Sequence, residues 1–152
     1  MQNGKQLVSV QRSFGDAAVD GLFGGMVAGV LMALYLVVAQ FVAGDGPATT
    51  LSRFDASGTA SPWTGAVLHL AVAGVYGALF GLGLQLMARI IRHPVPPWPA
   101  GLAYGIVLLL VAEGLVLPAT DSPLRGIPVV QFALAHAIYG AMLGLLISRA
   151  RR

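Results

Sequence analysis

The chain has 152 residues, of which 57% are hydrophobic and only 10% are charged, and its mean hydropathy is +0.79. A soluble domain carries about 25% charged residues. The composition therefore argues against a water-soluble globular protein, a disordered tail and a nucleic-acid-binding protein, in spite of an isoelectric point near 9.8. Cysteine is absent, which excludes disulfides and thiolate chemistry. A membrane span needs about 20 apolar residues, so the length allows four spans and leaves no room for a soluble catalytic domain.

Four apolar segments follow one another along the chain and predict an all-α membrane protein that forms one integral membrane domain over residues 1–152. The predicted transmembrane helices cover about 20–43, 63–88, 99–117 and 128–148. Glycine, proline, serine and threonine predict a loop over 44–62. The proline-rich stretch 94–99 predicts a stiff spacer, and residues 119–127 predict a short loop.

The basic residues are distributed unevenly among the connections. Seven of the nine Lys and Arg residues lie in the N-terminal segment, the 88–98 connection and the C-terminal tail. The other two, Arg53 and Arg125, lie in the remaining connections. The positive-inside rule therefore predicts a multi-pass protein with both termini in the cytoplasm. The Ala- and Gly-rich composition with a single Lys is typical of a bacterial chain, so we expect the bacterial inner membrane.

The second and fourth apolar segments contain similar sequences. Residues 75–82 (VYGALFGL) match residues 138–145 (IYGAMLGL) at five of eight positions. The first and third segments match more loosely, through glycines. The chain therefore looks like two helical hairpins, at about 16–90 and 97–149, inserted with the same orientation. Such a parallel repeat is related by a pseudo-twofold axis along the membrane normal.

Small residues recur at four-residue spacing in these segments. The positions are Gly21, Gly25 and Gly29 in the first segment, Gly77 and Gly81 in the second, and Gly140 and Gly144 in the fourth. Stripes of this kind let helix backbones approach closely in a bilayer. They suit internal packing of the four helices, which we favour for each stripe, or a surface for partner subunits, which one stripe facing outward would provide.

Two of these motifs resemble a known group of proteins. The Gly-rich stretch 24–29 and the His-x-x-Tyr-Gly-x-x-x-Gly motif at 136–144 are similar to those of four-span membrane proteins of bacteria and archaea. The resemblance covers most of the chain from Asp16 to Ile147. The second segment departs from the motif, because Ala73 stands where the motif would have His. The resemblance implies a four-span fold and implies no activity.

Few polar side chains interrupt the predicted spans: Gln40, His69, Gln85, Glu113, Gln131 and His136. A charged group at the bilayer centre costs about 2.5–3.5 kcal/mol on insertion scales, so Glu113 needs a partner, an interior position or a proton. Counting about 1.5 Å per residue from the cytoplasmic ends puts Glu113 about 21 Å deep and His136 about 20 Å deep. One hypothesis is therefore a buried Glu113–His136 pair. The alternative is that each bonds separately to backbone carbonyls, Tyr139 or water.

The two histidines suggest a further hypothesis, in which His69 and His136 are axial ligands of a haem or chlorin. The same count places His69 about 30 Å deep. That level is about 10 Å from His136 and makes a shared iron the less favoured interpretation. The repeat alignment agrees, since the two histidines stand at different distances from their tyrosines. We otherwise expect no cofactor and no metal.

The sequence contains no phosphate-binding loop, metal-binding His motif or serine nucleophile elbow, and we predict that the protein is not an enzyme. The favoured function is an accessory or structural subunit of a larger membrane complex, of the respiratory or photosynthetic electron-transfer class. Its partners would be the lipid bilayer and other membrane subunits or further copies of the chain, and not nucleic acid. One alternative is a small proton- or cation-coupled transporter or channel that uses Glu113. A lesser alternative is a subunit that binds haem or pigment through His69 and His136.

Overall fold

The computed structural model describes residues 12–91 and 95–152. The predicted polar N-terminal segment up to residue 11, with Lys5, lies outside the described residues. Arg92 and the first proline of the predicted spacer, Pro94, lie outside them as well. Within the described ranges the chain is helical and contains no strand. Four helical spans are long and apolar enough to cross a membrane, which confirms the predicted all-α fold with four candidate transmembrane spans.

The helices are longer than the apolar segments suggested. Their bounds are α1 Phe14–Val42, α2 Pro47–Ser52, α3 Pro62–Ile90, α4 Pro97–Val111, a π-helical segment Ala112–Val116, α5 Leu117–Ala119, a 3-10 turn Pro123–Gly126, and α6 Val129–Ala150. The helix α4, the π segment and α5 follow one another directly and form a single span, Pro97–Ala119. The four spans are therefore α1, α3, this composite span and α6.

The first helix begins at Phe14 rather than near residue 20 because a capping box starts it. The Ser13 hydroxyl accepts a hydrogen bond from the Asp16 backbone N–H at 3.0 Å, and the Asp16 carboxylate accepts one from the Ser13 N–H at 3.1 Å. This reciprocal pairing satisfies N–H groups that would otherwise lack partners.

Arg12, just before the helix, forms an ion pair with Asp20 and donates a hydrogen bond to the carbonyl of Ala150 at 2.9 Å. The start of α1 and the end of α6 thus lie together, at what we call the terminal end. The opposite end, with connections 43–61 and 120–128, is the loop end.

The four spans pack in the order α3, α1, α6, α4, because α1 and α6 contact each other while α3 and α4 barely touch. The fully buried side chains Leu36 of α1 and Leu143 of α6 lie in the core. Tyr104 of α4 bridges the seam between α3 and α4. Its hydroxyl donates to the carbonyl of Tyr76 at 3.0 Å, and its ring stacks on Phe80 with 5.1 Å between centroids. Nearer the loop end, the seam between α3 and α4 is open.

The glycine stripes lie against neighbouring helices of the same chain. A Cβ atom on Gly77 would lie 2.6 Å from Cα of Gly25, and one on Gly101 would lie 2.7 Å from Cα of Gly144. The remaining stripe positions are also crowded by a neighbouring helix. Gly21 and Gly29 lie against α3, Gly81 lies against α1, and Gly140 lies against α4. A larger residue would force the helices apart, so the stripes serve contacts within the chain.

The connection predicted as a loop over 44–62 contains the short helix α2 and is organised around a buried carboxylate. Asp55 is 3% exposed and accepts hydrogen bonds from the hydroxyls of Ser57 at 2.5 Å and Thr59 at 2.6 Å, and from the N–H of Ser61 at 2.9 Å. These hydrogen bonds hold the pKa of Asp55 well below its usual range. The connection is therefore a fixed structure, and it positions Phe54 over the open seam.

Candidate functional site

A cavity of about 190 Å³ lies in the loop-end half of the seam between α3 and α4. We call it the histidine cavity. Aromatic and imidazole rings form much of its wall: Phe54, His69, Tyr76, Phe132, His136 and Tyr139. Three further lining residues, Val72 of α3, Val111 of α4 and Val116 of the π segment, are exposed. The histidine cavity therefore opens sideways through the seam, toward the lipid that surrounds a membrane protein.

His136 presents a nitrogen without a partner to this cavity. The side chain is only 8% exposed, and its Nδ1 atom lies 2.9 Å from the carbonyl oxygen of Phe132, one turn earlier in α6. A carbonyl oxygen can only accept, so Nδ1 carries the proton in the neutral ring and Nε2 carries the lone pair. No described residue hydrogen-bonds to Nε2. The ring of Phe132 meets the imidazole edge-on at 4.5 Å and fixes its orientation.

His69 approaches the same cavity from α3. Its Nε2 atom lies 2.9 Å from the carbonyl oxygen of Gly29, and its ring stacks on Phe54 with 4.5 Å between centroids. By the same argument Nε2 carries the proton and Nδ1 the lone pair. The hydrogen bond depends on close packing of α1 against α3, because a Cβ atom on Gly29 would lie 2.5 Å from Cβ of Ala73.

The two histidines lie at the same level of the bundle. Each stands seven residues after the first residue of its helix, Pro62 for His69 and Val129 for His136, which is about 10 Å from the loop end. The sequence-based offset of about 10 Å between them is not found. The helix α3 has 29 residues and α6 has 22, so a count from the terminal end overstates the depth of His69.

Tyr139 links α6 to α3 beside the cavity. The sequence predicted it only as a partner for Glu113 or His136. Tyr139 is 2% exposed, and its hydroxyl donates to the carbonyl of Ala73 at 2.7 Å. Its counterpart in the matched segment of α3, Tyr76, also lines the cavity. Tyrosine occurs at the equivalent position of the matched segments 75–82 and 138–145, and this was the sequence feature that could have identified both residues as part of the site.

Glu113 does not line the histidine cavity. It is half-buried in the π segment and lines a separate cavity of about 340 Å³, the glutamate cavity, together with Leu117, Pro118, Arg125, Ile127 and Val129. The predicted Glu113–His136 pair is not formed. Glu113 stands six residues before the end of the span at Ala119, about 9 Å from the loop end, so the depths agree. The preceding residue, Ala112, lines the histidine cavity, and Glu113, one residue further along the wider π turn, is rotated away from it by roughly a quarter of a turn.

The π segment has a local cause in Pro118. Proline has no N–H to donate to the carbonyl of Gly114, and its ring clashes with a carbonyl in that position of a regular α-helix. The turn before it is wider, with the N–H of Leu117 donating to the carbonyl of Ala112, five residues earlier. Arg125 returns to this point and donates from Nε to the carbonyl of Leu117 at 2.7 Å.

Polar side chains also tie the helices together at the loop end. The amide of Gln40 in α1 donates to the amide oxygen of Gln131 in α6 at 2.5 Å. Arg53 donates to the amide oxygen of Gln40 at 2.7 Å and pairs with the Asp45 carboxylate at 2.7 Å. The two glutamines were recognisable as polar interruptions of apolar segments, but their pairing with each other was not.

The size and the donor atoms of the histidine cavity limit which cofactor it could hold. Nε2 of His136 carries the lone pair that a metal ligand needs. Pockets for drug-sized molecules occupy about 300–1,000 Å³, however, and a macrocycle does not fit the roughly 190 Å³ that is available. The described residues include no group of three or more His, Asp or Glu side chains that could hold a metal ion.

Comparison with known proteins gives no relative from which a function could be transferred. No protein-family model, curated protein or solved structure matches the chain.

Proposed function

We propose that the protein is a small integral membrane subunit, not itself an enzyme, that works within a larger membrane assembly of the electron-transfer class. Glu113 carries this proposal. Its half-buried carboxylate lies in a membrane-spanning segment, and it forms no ion pair with any described residue. A charged group costs about 2.5–3.5 kcal/mol at the bilayer centre on insertion scales, and Glu113, about 9 Å from the loop end, bears part of that cost. A neighbouring subunit that supplies a hydrogen-bond donor or a positive charge would offset this cost.

The exposed surface of the composite span supports the same proposal. The span Pro97–Ala119 is the least buried of the four. The glycine stripes already serve contacts within the chain, which leaves this span as the face for a neighbour. Leu110, one turn before Glu113, is 64% exposed and would lie in the same contact.

We further infer that the chain consists of two copies of one helical hairpin. The contacts that support this are equivalent in the two halves. Gly77 of α3 lies against Gly21 and Gly25 of α1, just as Gly140 of α6 lies against Gly101 and Gly105 of α4. Gly77 and Gly140 also occupy equivalent positions in the matched segments 75–82 and 138–145.

The distribution of charge supports an inner-membrane orientation with the terminal end in the cytoplasm. Arg12, Arg89 and the arginines at 149–152 lie at or near the terminal end. The loop end carries Arg53 and Arg125, and both are engaged by acceptors of the chain itself. Under the positive-inside rule the two cavities then open in the outer half of the membrane.

The proposal is tested by isolating the tagged protein from its own host after gentle solubilisation, followed by native mass spectrometry. We expect at least one other membrane polypeptide in a fixed ratio. Glu113→Gln should weaken this association, whereas Asp121→Asn, which changes a fully exposed carboxylate two residues after the same span, should not. Isolation of the protein alone, or an unchanged association in the Glu113→Gln variant, would contradict the proposal. Proton uptake by the protein alone in liposomes that requires Glu113 would favour the transport alternative instead.

A further inference from the structure

The histidine cavity combines an unpartnered basic nitrogen with an apolar wall and an opening toward lipid. From these features we infer that the histidine cavity binds the ring of a lipophilic phenol or hydroquinone, whose hydroxyl donates a hydrogen bond to Nε2 of His136. Glu113 does not line this site but the neighbouring glutamate cavity. The site is independent of the proposed association through Glu113.

The size of the cavity selects a single aromatic ring. A dry cavity of about 150 Å³ lined by apolar side chains takes up benzene. The histidine cavity, at about 190 Å³, therefore accommodates one six-membered ring with a small substituent and is too small for a macrocycle. The rings of Phe54 and Phe132 offer the face and edge contacts that aromatic groups prefer.

The hydrogen-bonding groups of the cavity favour a ligand that donates a hydrogen bond. Nε2 of His136 accepts, because the carbonyl of Phe132 fixes the ring proton on Nδ1. Nδ1 of His69 accepts for the same reason. The hydroxyl of Tyr139 is already used, since it donates to the carbonyl of Ala73. The hydroxyl of Tyr76 can both donate and accept a hydrogen bond. It could therefore pair with either a second hydroxyl or a carbonyl of the ligand. A ligand that carries no O–H would cover Nε2 of His136 without giving it a hydrogen-bond donor, which is unfavourable.

The seam between α3 and α4 provides the path by which the ligand enters, and it also leaves space for an alkyl tail on the ligand. Val72, Val111 and Val116 line the cavity and are exposed, so an alkyl or isoprenoid tail would pass between them into the bilayer. Toward the terminal end, the contact of Tyr104 with Tyr76 closes the seam. The ring therefore enters from the side, in the loop-end half of the span.

The test compares two ligands of nearly equal size, 4-hexylphenol and 4-hexylanisole, which differ in the O–H group. Each is titrated at equal mole fraction of lipid into the purified full-length protein in nanodiscs. Binding is followed by the side-chain ¹⁵N shift of His136 and by the rise in melting temperature. One hydrogen bond to a buried acceptor corresponds to about fivefold in affinity, and we expect at least this preference for the phenol. Equal affinity for both ligands would overturn the proposal.

Three variants separate the roles of the neighbouring residues. His136→Phe keeps a ring but removes the acceptor, and it should bring the phenol-to-anisole ratio close to one. Ala112→Phe should fill the cavity and abolish binding of both ligands, whereas Glu113→Gln, one residue away but facing the other cavity, should leave binding unchanged. A phenol preference that survives His136→Phe would overturn the proposal. If this variant does not fold, the wild-type ratio and the His136 ¹⁵N shift with each ligand decide the matter. The result with Glu113→Gln keeps this test separate from that of the proposed association.

Discussion

Replacing Gly77 with alanine should destabilise the packing of α3 against α1. The added Cβ atom would lie 2.6 Å from Cα of Gly25 and 2.8 Å from its nitrogen, and still closer to the carbonyl oxygen of Gly21. Non-bonded carbon atoms at optimal separation are about 3.5–4.0 Å apart, so the two backbones must separate by roughly 1 Å. All the crowding atoms belong to the backbone, and no side-chain rotation relieves the overlap. Overpacking of this kind costs about 1–3 kcal/mol.

The measurement is the free energy of unfolding in mixed micelles of dodecyl maltoside and SDS, followed by circular dichroism. Gly83→Ala is the matched control, because it lies in the same helix and a Cβ atom there meets nothing within 4 Å. Alanine is the better helix former, so the control should be neutral or slightly stabilising. If Gly77→Ala is as stable as Gly83→Ala, the glycines do not hold the helices in backbone contact and the packing argument fails.

Three further predictions concern the second hairpin, the link between hairpins and the loop end. Gly140→Ala should lower the free energy of unfolding by about 1–3 kcal/mol, while Gly114→Ala, which meets no atom within 4 Å, should not; equal effects would contradict equivalent packing in the two halves. Tyr139→Phe removes the hydrogen bond to Ala73 and should cost about 1 kcal/mol in the same unfolding assay, and an unchanged value would show that this bond does not stabilise the bundle. Asp55→Asn should lower the melting temperature at pH 7. Because the native pKa of Asp55 is depressed, its contribution is fully present above its ordinary pKa near 3.9 and is lost as the pH falls from there through the native pKa. Wild type and variant should therefore converge progressively below about pH 3.9; a difference that does not shrink over this range would refute the role of the ionised carboxylate.

The number and type of the spans were predictable because a bilayer imposes a length and an apolar composition on every crossing segment. The helix bounds were less predictable, since they depend on local caps. The capping box of Ser13 with Asp16 extends α1 beyond its apolar part. The proline at the start of α4 was recognisable as a helix start, although the helix begins at Pro97 rather than Pro99.

The candidate site was only partly predictable because depth along a helix does not determine the face. Glu113, His69 and His136 were identified from their polarity alone. Their levels proved similar, but Pro118 widens the turn that carries Glu113, and this residue lines a cavity of its own. The open seam between α3 and α4 results from the order in which the helices pack. The order of the helices along the chain does not determine this packing.

The proposed association is tested most directly by a cross-link formed in the native membrane. A photoreactive residue at position 110, one turn from Glu113, is compared with one at position 67 on α3. The natural side chains at the two positions, Leu110 and Val67, are similarly exposed, at 64% and 66%. The account predicts one discrete adduct with a second membrane polypeptide from position 110 and adducts with lipid alone from position 67. Lipid adducts alone from both positions, or the same polypeptide adduct from both, would contradict it.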